Sequence, residues 1–150
     1  MADFPQAQDW QMFIGGEWVE AVDGSRSNVI TPIDRNQVIA TVPSGKAEDA
    51  DVAVKAARAA FPAWSQLHFK ERQKLLTQCA DALEEASEDL AQLTALDTGN
   101  AVRTQARPET NILVDLFRYF GGVAGEVKGN TLPTGPNQLQ FTKRVPLGVV

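Results

Sequence analysis

The 150-residue chain contains one cysteine and one histidine. A single cysteine excludes an intramolecular disulfide framework and fits a reducing, cytoplasmic setting. The single histidine, His68, has no metal-ligand spacing around it and reads as a partly exposed surface residue near a helix start. No apolar run approaches the roughly 20 residues that a membrane helix needs. Met1-Ala2-Asp3-Phe4-Pro5 lacks the basic and apolar regions of a signal peptide. Positive charge is also scarce. Fourteen Lys and Arg against 19 Asp and Glu leave a net charge of -5, which argues against nucleic acid or an anionic membrane surface as partner. Repeats and low-complexity tracts are missing. What remains is ordinary globular composition, 43% hydrophobic and 22% charged, in a length suited to one domain with a sizeable core.

The first 43 residues read as a small antiparallel β unit behind a loose arm at residues 1–9. Residues 11–19 suggest two short strands joined at Gly15-Gly16, where a tight hairpin needs positive φ. Asn28-Val29-Ile30-Thr31-Pro32 suggests a strand closed by a proline that cannot donate to a ladder. Asp34-Arg35-Asn36 turns the chain, and residues 37–42 return as another strand.

The middle reads as helical. Residues 49–61 read as an alanine-rich helix with Val52, Ala56, Ala59 and Ala60 in register, and Pro62 ends it or sits just past the end. A second helix is expected over 69–86, with Leu75, Leu76, Cys79, Ala82, Leu83 and Ala86 turned inward. Ser87 is the expected N-cap of a third helix, which Gly99 stops in the left-handed conformation. A long fourth helix is expected over 108–127. Ile112, Leu113, Leu116, Phe117, Phe120, Val123, Ala124 and Val127 form its apolar stripe, and Gly121-Gly122 suggest close backbone packing or a bend. After a turn-rich linker over 129–137, residues 138–144 alternate as a strand. Residues 146–150 read as a buried strand that has only begun, which suggests truncation.

Residue types alone expose no catalytic machine. Cys79 falls on a helical apolar stripe with no histidine near it in sequence, so it reads as a small core residue. Glu84-Glu85 and Glu88-Asp89 read as solvated helix charge. Gly121-Gly122-Val123-Ala124-Gly125 follows a helix and not a strand, so it is not a phosphate loop. Asp97 is the exception. It falls at a helix C-terminus, among unpaired carbonyls at the negative end of the dipole. Either water or a backbone N–H solvates it there, or a cation or donor answers it.

Seven stretches in order resemble the N-terminal part of the aldehyde dehydrogenase superfamily, from about Phe13 to Val150. They are Phe13-Ile14-Gly15-Gly16-Glu17-Trp18, Val29-Ile30-Thr31-Pro32, the alanine-rich run over 47–57, and Phe61-Pro62-Ala63-Trp64. Leu96-Asp97-Thr98-Gly99-Asn100, Phe117-Arg118-Tyr119-Phe120-Gly121-Gly122 and the run over 141–150 complete the set. Departures touch turns and caps: Thr31 for a usual asparagine, Asn36 for a turn glycine, Asn100 for a frequent lysine, and Lys46 near a usual Ser/Thr cap.

The resemblance implies an α/β protein with a small antiparallel β unit, a helical layer, the start of a Rossmann-like sheet and an oligomerisation strand. It divides the chain into residues 1–137 of a cofactor-binding domain, the oligomerisation strand at 138–145 and the sheet start at 146–150, with the catalytic domain outside this sequence. It implies oxidation of a small aldehyde to a carboxylic acid with NAD or NADP, NAD favoured. A cysteine thiolate attacks the aldehyde, hydride leaves to the nicotinamide, and a glutamate-activated water hydrolyses the thioester. The nucleophile, the glutamate and the main cofactor contacts lie beyond Val150 in the family pattern, and Cys79 does not match the nucleophile. Three features carry over. Val29, Ile30 and Asp97 match positions that hold a monovalent cation, K⁺ or Na⁺. Pro108 and Ile112 match substrate-tunnel positions, with core packing as the plain alternative. The strand at 138–144 matches the oligomerisation sheet, which implies a homodimer or dimer of dimers. The last segments look closest to bacterial betaine-aldehyde and aminoaldehyde types. The competing expectation is a non-catalytic helical interaction module, which would have to cover the 147–150 strand itself.

Overall fold

The computed structural model describes residues 8–150, so most of the expected N-terminal arm lies outside the described residues. Its last two residues are not loose. Gln8–Asp9 form β1, which pairs in parallel with β5 (Val38–Pro43), and β4 (Arg26–Ile30) pairs antiparallel on the other side of β5. The Arg26 guanidinium holds this corner together. It donates to the Trp10 carbonyl at 2.8 Å and the Thr41 carbonyl at 3.1 Å, and pairs with Glu20 at 2.5 Å. Sequence alternation cannot reveal such a pairing, because the partners lie about thirty residues apart.

β2 (Met12–Ile14) and β3 (Glu17–Val19) form the expected hairpin as a separate two-stranded sheet. Gly15 and Gly16 both take positive φ, 65° and 93°, as a tight two-residue turn demands. Phe13 and Trp18 face each other across it, with ring centroids 5.0 Å apart.

α1 runs over Ala47–Ser65. Pro62 does not end it: proline forfeits only its own N–H bond, and the Gln66 N–H still closes the last turn on the Pro62 carbonyl at 3.3 Å. Ala56 faces inward as expected, but Val52 is exposed. The helix start is fixed by Asp49, which is buried. Its carboxylate accepts the Lys46 N–H at 2.7 Å and the Val22 N–H at 2.8 Å, so one side chain caps the helix and anchors the β3–β4 connection.

α2 (Phe69–Glu85) starts on His68, exposed as expected, whose Nδ1 accepts the Lys70 N–H at 3.3 Å. α3 (Ser87–Thr98) follows after a single residue. Ala86, and not Ser87, stands at the junction: its N–H bonds the Ala82 carbonyl and its carbonyl accepts the Leu90 N–H. Two inward stripes differ from expectation. On α2 the buried residue is Ala80, flanked by half-buried Leu76 and Leu83, while Leu75 and Cys79 are exposed. On α4 (Arg107–Gly122) the inward face is Thr110, Val114, Phe117 and Gly121, while Ile112, Leu113, Leu116 and Phe120 look outward. The reason is Gly121. A Cβ there would stand 3.3 Å from Leu76 Cβ and 3.5 Å from the Gln73 carbonyl, so α2 meets α4 at a position without a side chain. That contact turns each helix by about one residue from the most apolar orientation. Arg118 reinforces it by pairing with Glu84 at 2.5 Å and Asp81 at 3.5 Å.

A π-helical turn over Val102–Ala106 precedes α4, and a 3₁₀ turn over Ala124–Glu126 follows it, so the expected helix end at 127 is replaced by a tighter turn. Ala91 and Ala95 of α3 pack with Ala106 of the π turn in a small alanine core flanked by Val102. β6 (Thr131–Leu132) pairs antiparallel with β7 (Gln140–Phe141), so part of the expected linker is itself a strand and the expected strand over 138–144 is a short ribbon arm. Residues 146–150 join no ladder among the described residues, and Leu147 and Val150 are fully exposed instead of buried. A strand is defined by its neighbour, and the apolar run alone does not supply one.

Candidate functional site

The residues singled out for a cation lie on β4 and at the end of α3. Two irregularities mark the place. At Val29 and Ile30 the β4–β5 register slips: Val29 faces Ala40 and Ile30 faces Val38, which leaves Ile39 as the extra residue of a bulge. A bulge interrupts the ladder and re-aims backbone groups that would otherwise be paired. At the other side, Gly99 caps α3 with φ 76° and its N–H bonds the Ala95 carbonyl at 2.9 Å. Asp97 sits in that last turn, exposed, and its carboxylate has no ion-pair partner among the described residues.

The fold brings these two places together. Gly99 abuts Pro32, just after the bulged end of β4. Ile39 and Leu96 line one groove of about 540 Å³ with Trp10, Asp89, Gln92 and Leu93. Bulge and helix end are therefore neighbours. Backbone carbonyls and a carboxylate are hard oxygen donors, the kind an alkali cation takes. No group of three His, Cys, Asp or Glu side chains that could hold a metal converges among the described residues.

Pro108 stands in the first turn of α4 and Ile112 one turn later, both exposed. They share a face with Leu116 and Phe120, directed away from α2. Cys79 lies on the exposed side of α2. One member of each acidic pair is tied to an arginine: Arg107 bonds both carboxylate oxygens of Glu88 at 2.7 Å, which with a bond from Gln92 lowers the Glu88 pKa to about 2. The Arg118 guanidinium likewise holds Glu84 below its ordinary value. Sequence reasoning missed the bulge and the π turn. Neither leaves a periodic signal, because each is a single-residue departure from a regular ladder.

This mixed helix–strand architecture is shared with several solved structures. One is PnpE of Pseudomonas sp. WBC-3, solved with nicotinamide adenine dinucleotide: TM-score 0.80, 41% identity, 88% of this chain and 27% of that one. Another is the betaine aldehyde dehydrogenase of Staphylococcus aureus, solved with NAD⁺: TM-score 0.77, 34% identity, 85% of this chain and 26% of that one. Residues 18–150 match the model of the aldehyde dehydrogenase family, and the chain belongs to that family. Aldehyde dehydrogenase 1 of Tanacetum cinerariifolium is 39% identical over 142 residues, covering 93% of this chain. The chain spans 28% of that relative's length. No helix among the described residues is long and apolar enough to cross a membrane.

Proposed function

We propose that the chain serves NAD(P)-dependent oxidation of an aldehyde to a carboxylic acid, as the scaffold part of such an enzyme. The observation that carries this reading is the family match over residues 18–150. The nicotinamide cofactor, when bound, supplies the hydride acceptor, and NAD is favoured because the PnpE and betaine aldehyde dehydrogenase neighbours were solved with it. The nucleophile is assigned outside residues 1–150, because the family pattern puts it beyond Val150 and Cys79 does not match its position. The substrate is a small aldehyde, and the last segments look closest to betaine-aldehyde and aminoaldehyde types. The setting is cytoplasmic, consistent with one unpaired cysteine.

Within this reading the chain's own residues have three roles. Val29, Ile30 and Asp97 hold K⁺ or Na⁺, which answers the otherwise unfavourable carboxylate at the end of α3. Pro108 and Ile112 line one wall of the aldehyde tunnel, supported by their exposure on one apolar face of α4. The β6–β7 ribbon pairs with another subunit in a homodimer or dimer of dimers. Its support is Leu139, Phe141 and Val145, which stay exposed on an uncovered ribbon.

The competing reading is a free-standing interaction module. It requires the 147–150 segment to be covered by the chain itself, and Leu147 is 96% exposed. A chimaera tests the enzyme reading: residues 18–150 replace the matching segment of the Staphylococcus aureus betaine aldehyde dehydrogenase. Aldehyde-dependent NAD reduction is expected from the chimaera and none from the 150-residue chain alone. A folded, NAD-binding but inactive chimaera counts against the reading, as does turnover by the chain alone.

A further inference from the structure

The segment after β4 meets the end of α3 at Pro32 and Gly99. A Cβ built on Gly99 would stand 3.0 Å from Pro32 Cγ, so the glycine backbone lies against the proline ring. Each side of that contact is fixed independently. Gly99 is held by the α3 cap, with its N–H on the Ala95 carbonyl. Pro32 follows Thr31, which is 1% exposed and whose N–H bonds the Gln37 carbonyl at 3.2 Å. Among the described residues no hydrogen bond crosses between residues 29–33 and residues 96–100. The Gly99–Pro32 approach is a van der Waals contact between the two segments.

Asp97 lies two residues before Gly99, and Ile30 two residues before Pro32. From this geometry we infer that Gly99 and Pro32 are positioning residues: their packing sets the spacing between the Asp97 carboxylate and the Val29 and Ile30 carbonyls, and thereby the affinity for a monovalent cation. The inference rests on the cation reading proposed above. A side chain at position 99 would press on the proline ring and strain a left-handed backbone. Loss of the Pro32 ring would let the helix end settle closer to the strand. Either change alters the distance between donors that must close on one ion, and supporting residues of this kind tune affinity without touching the ion.

The test is thermal unfolding of the purified full chain, titrated with KCl or NaCl against choline chloride at constant ionic strength. A cation bound to the folded state raises Tm in a saturable way. The unaltered chain is expected to show that rise and Asp97→Asn to lose it. Pro32→Ala is expected to need about tenfold more cation for half the rise, a cost typical of residues supporting metal ligands. Gly99→Ala should behave alike, and Pro32→Ala carries the test if Gly99→Ala does not fold. A role in stability alone would lower the cation-free Tm and leave the half-saturating concentration unchanged. That outcome overturns the positioning role and leaves the cation reading standing. An unaltered chain with no cation-specific rise overturns both.

Discussion

The α2–α4 pair and the segment after residue 127 both carry large apolar side chains and end up in opposite conditions. Ala80, Val114 and Gly121 are buried against one another's helices, and Arg118 ties the same surfaces by charge. Leu139, Phe141, Val145 and Leu147 are 67–96% exposed. The difference lies in the partner and not in hydrophobicity. The helices find complementary surfaces within the described residues, and the ribbon and tail find none. Apolar area contributes stability only when removed from water. The α2–α4 contact therefore stabilises this chain by itself, whereas the tail can contribute only through surfaces it does not yet touch.

The sharpest way to break that contrast is Gly121→Val. The added side chain would meet Leu76 and the Gln73 carbonyl with no room to spare, and overpacking of this kind costs about 1–3 kcal/mol. Urea unfolding should show the loss as a lower midpoint. Asp49→Ala should come next, at about 1 kcal/mol, because two backbone N–H groups lose their acceptor at a helix start. The same unfolding assay reads it. Acid should then loosen the α3–α4 strap. Glu88 falls from its ordinary 4.5 to about 2 in the folded chain, so its contribution is present above pH 4.5 and fades as pH drops through about 2. A carboxylate titration followed by NMR should find that low midpoint, and Arg107→Gln should return it toward 4.5. The smallest effect belongs to the tail: Leu147→Ser should change the stability of the isolated chain by less than about 0.5 kcal/mol. A larger loss would mean that the tail is packed, and would erase the distinction between the two regions.

Sequence pattern located most of the elements but not their facing. The Gly15-Gly16 hairpin, the αL stop at Gly99 and the helix order were legible because each depends on local backbone preference. The family was legible through ordered short stretches, and the match over residues 18–150 bears it out. Hydrophobic periodicity misjudged the inward faces of α2 and α4, placing Cys79 and Ile112 inside. Periodicity reports which residues are apolar, and a helix with two apolar faces gives no hint of which one its neighbour will take. For the candidate site the sequence supplied Val29, Ile30 and Asp97 by resemblance, while the bulge opposite Val29–Ile30 left no pattern to read.

By itself, then, the order of residues determined where the β2–β3 hairpin turns, where α3 stops and which family the chain joins, since those follow from φ preference, capping and local motif. Tertiary structure alone decided that Gly121 is the point of contact between α2 and α4, that the register slips at Ile39, and that Gly99 rests on Pro32. Each of these depends on two segments distant in sequence meeting at van der Waals range, and close packing is a property of the pair and of neither segment alone.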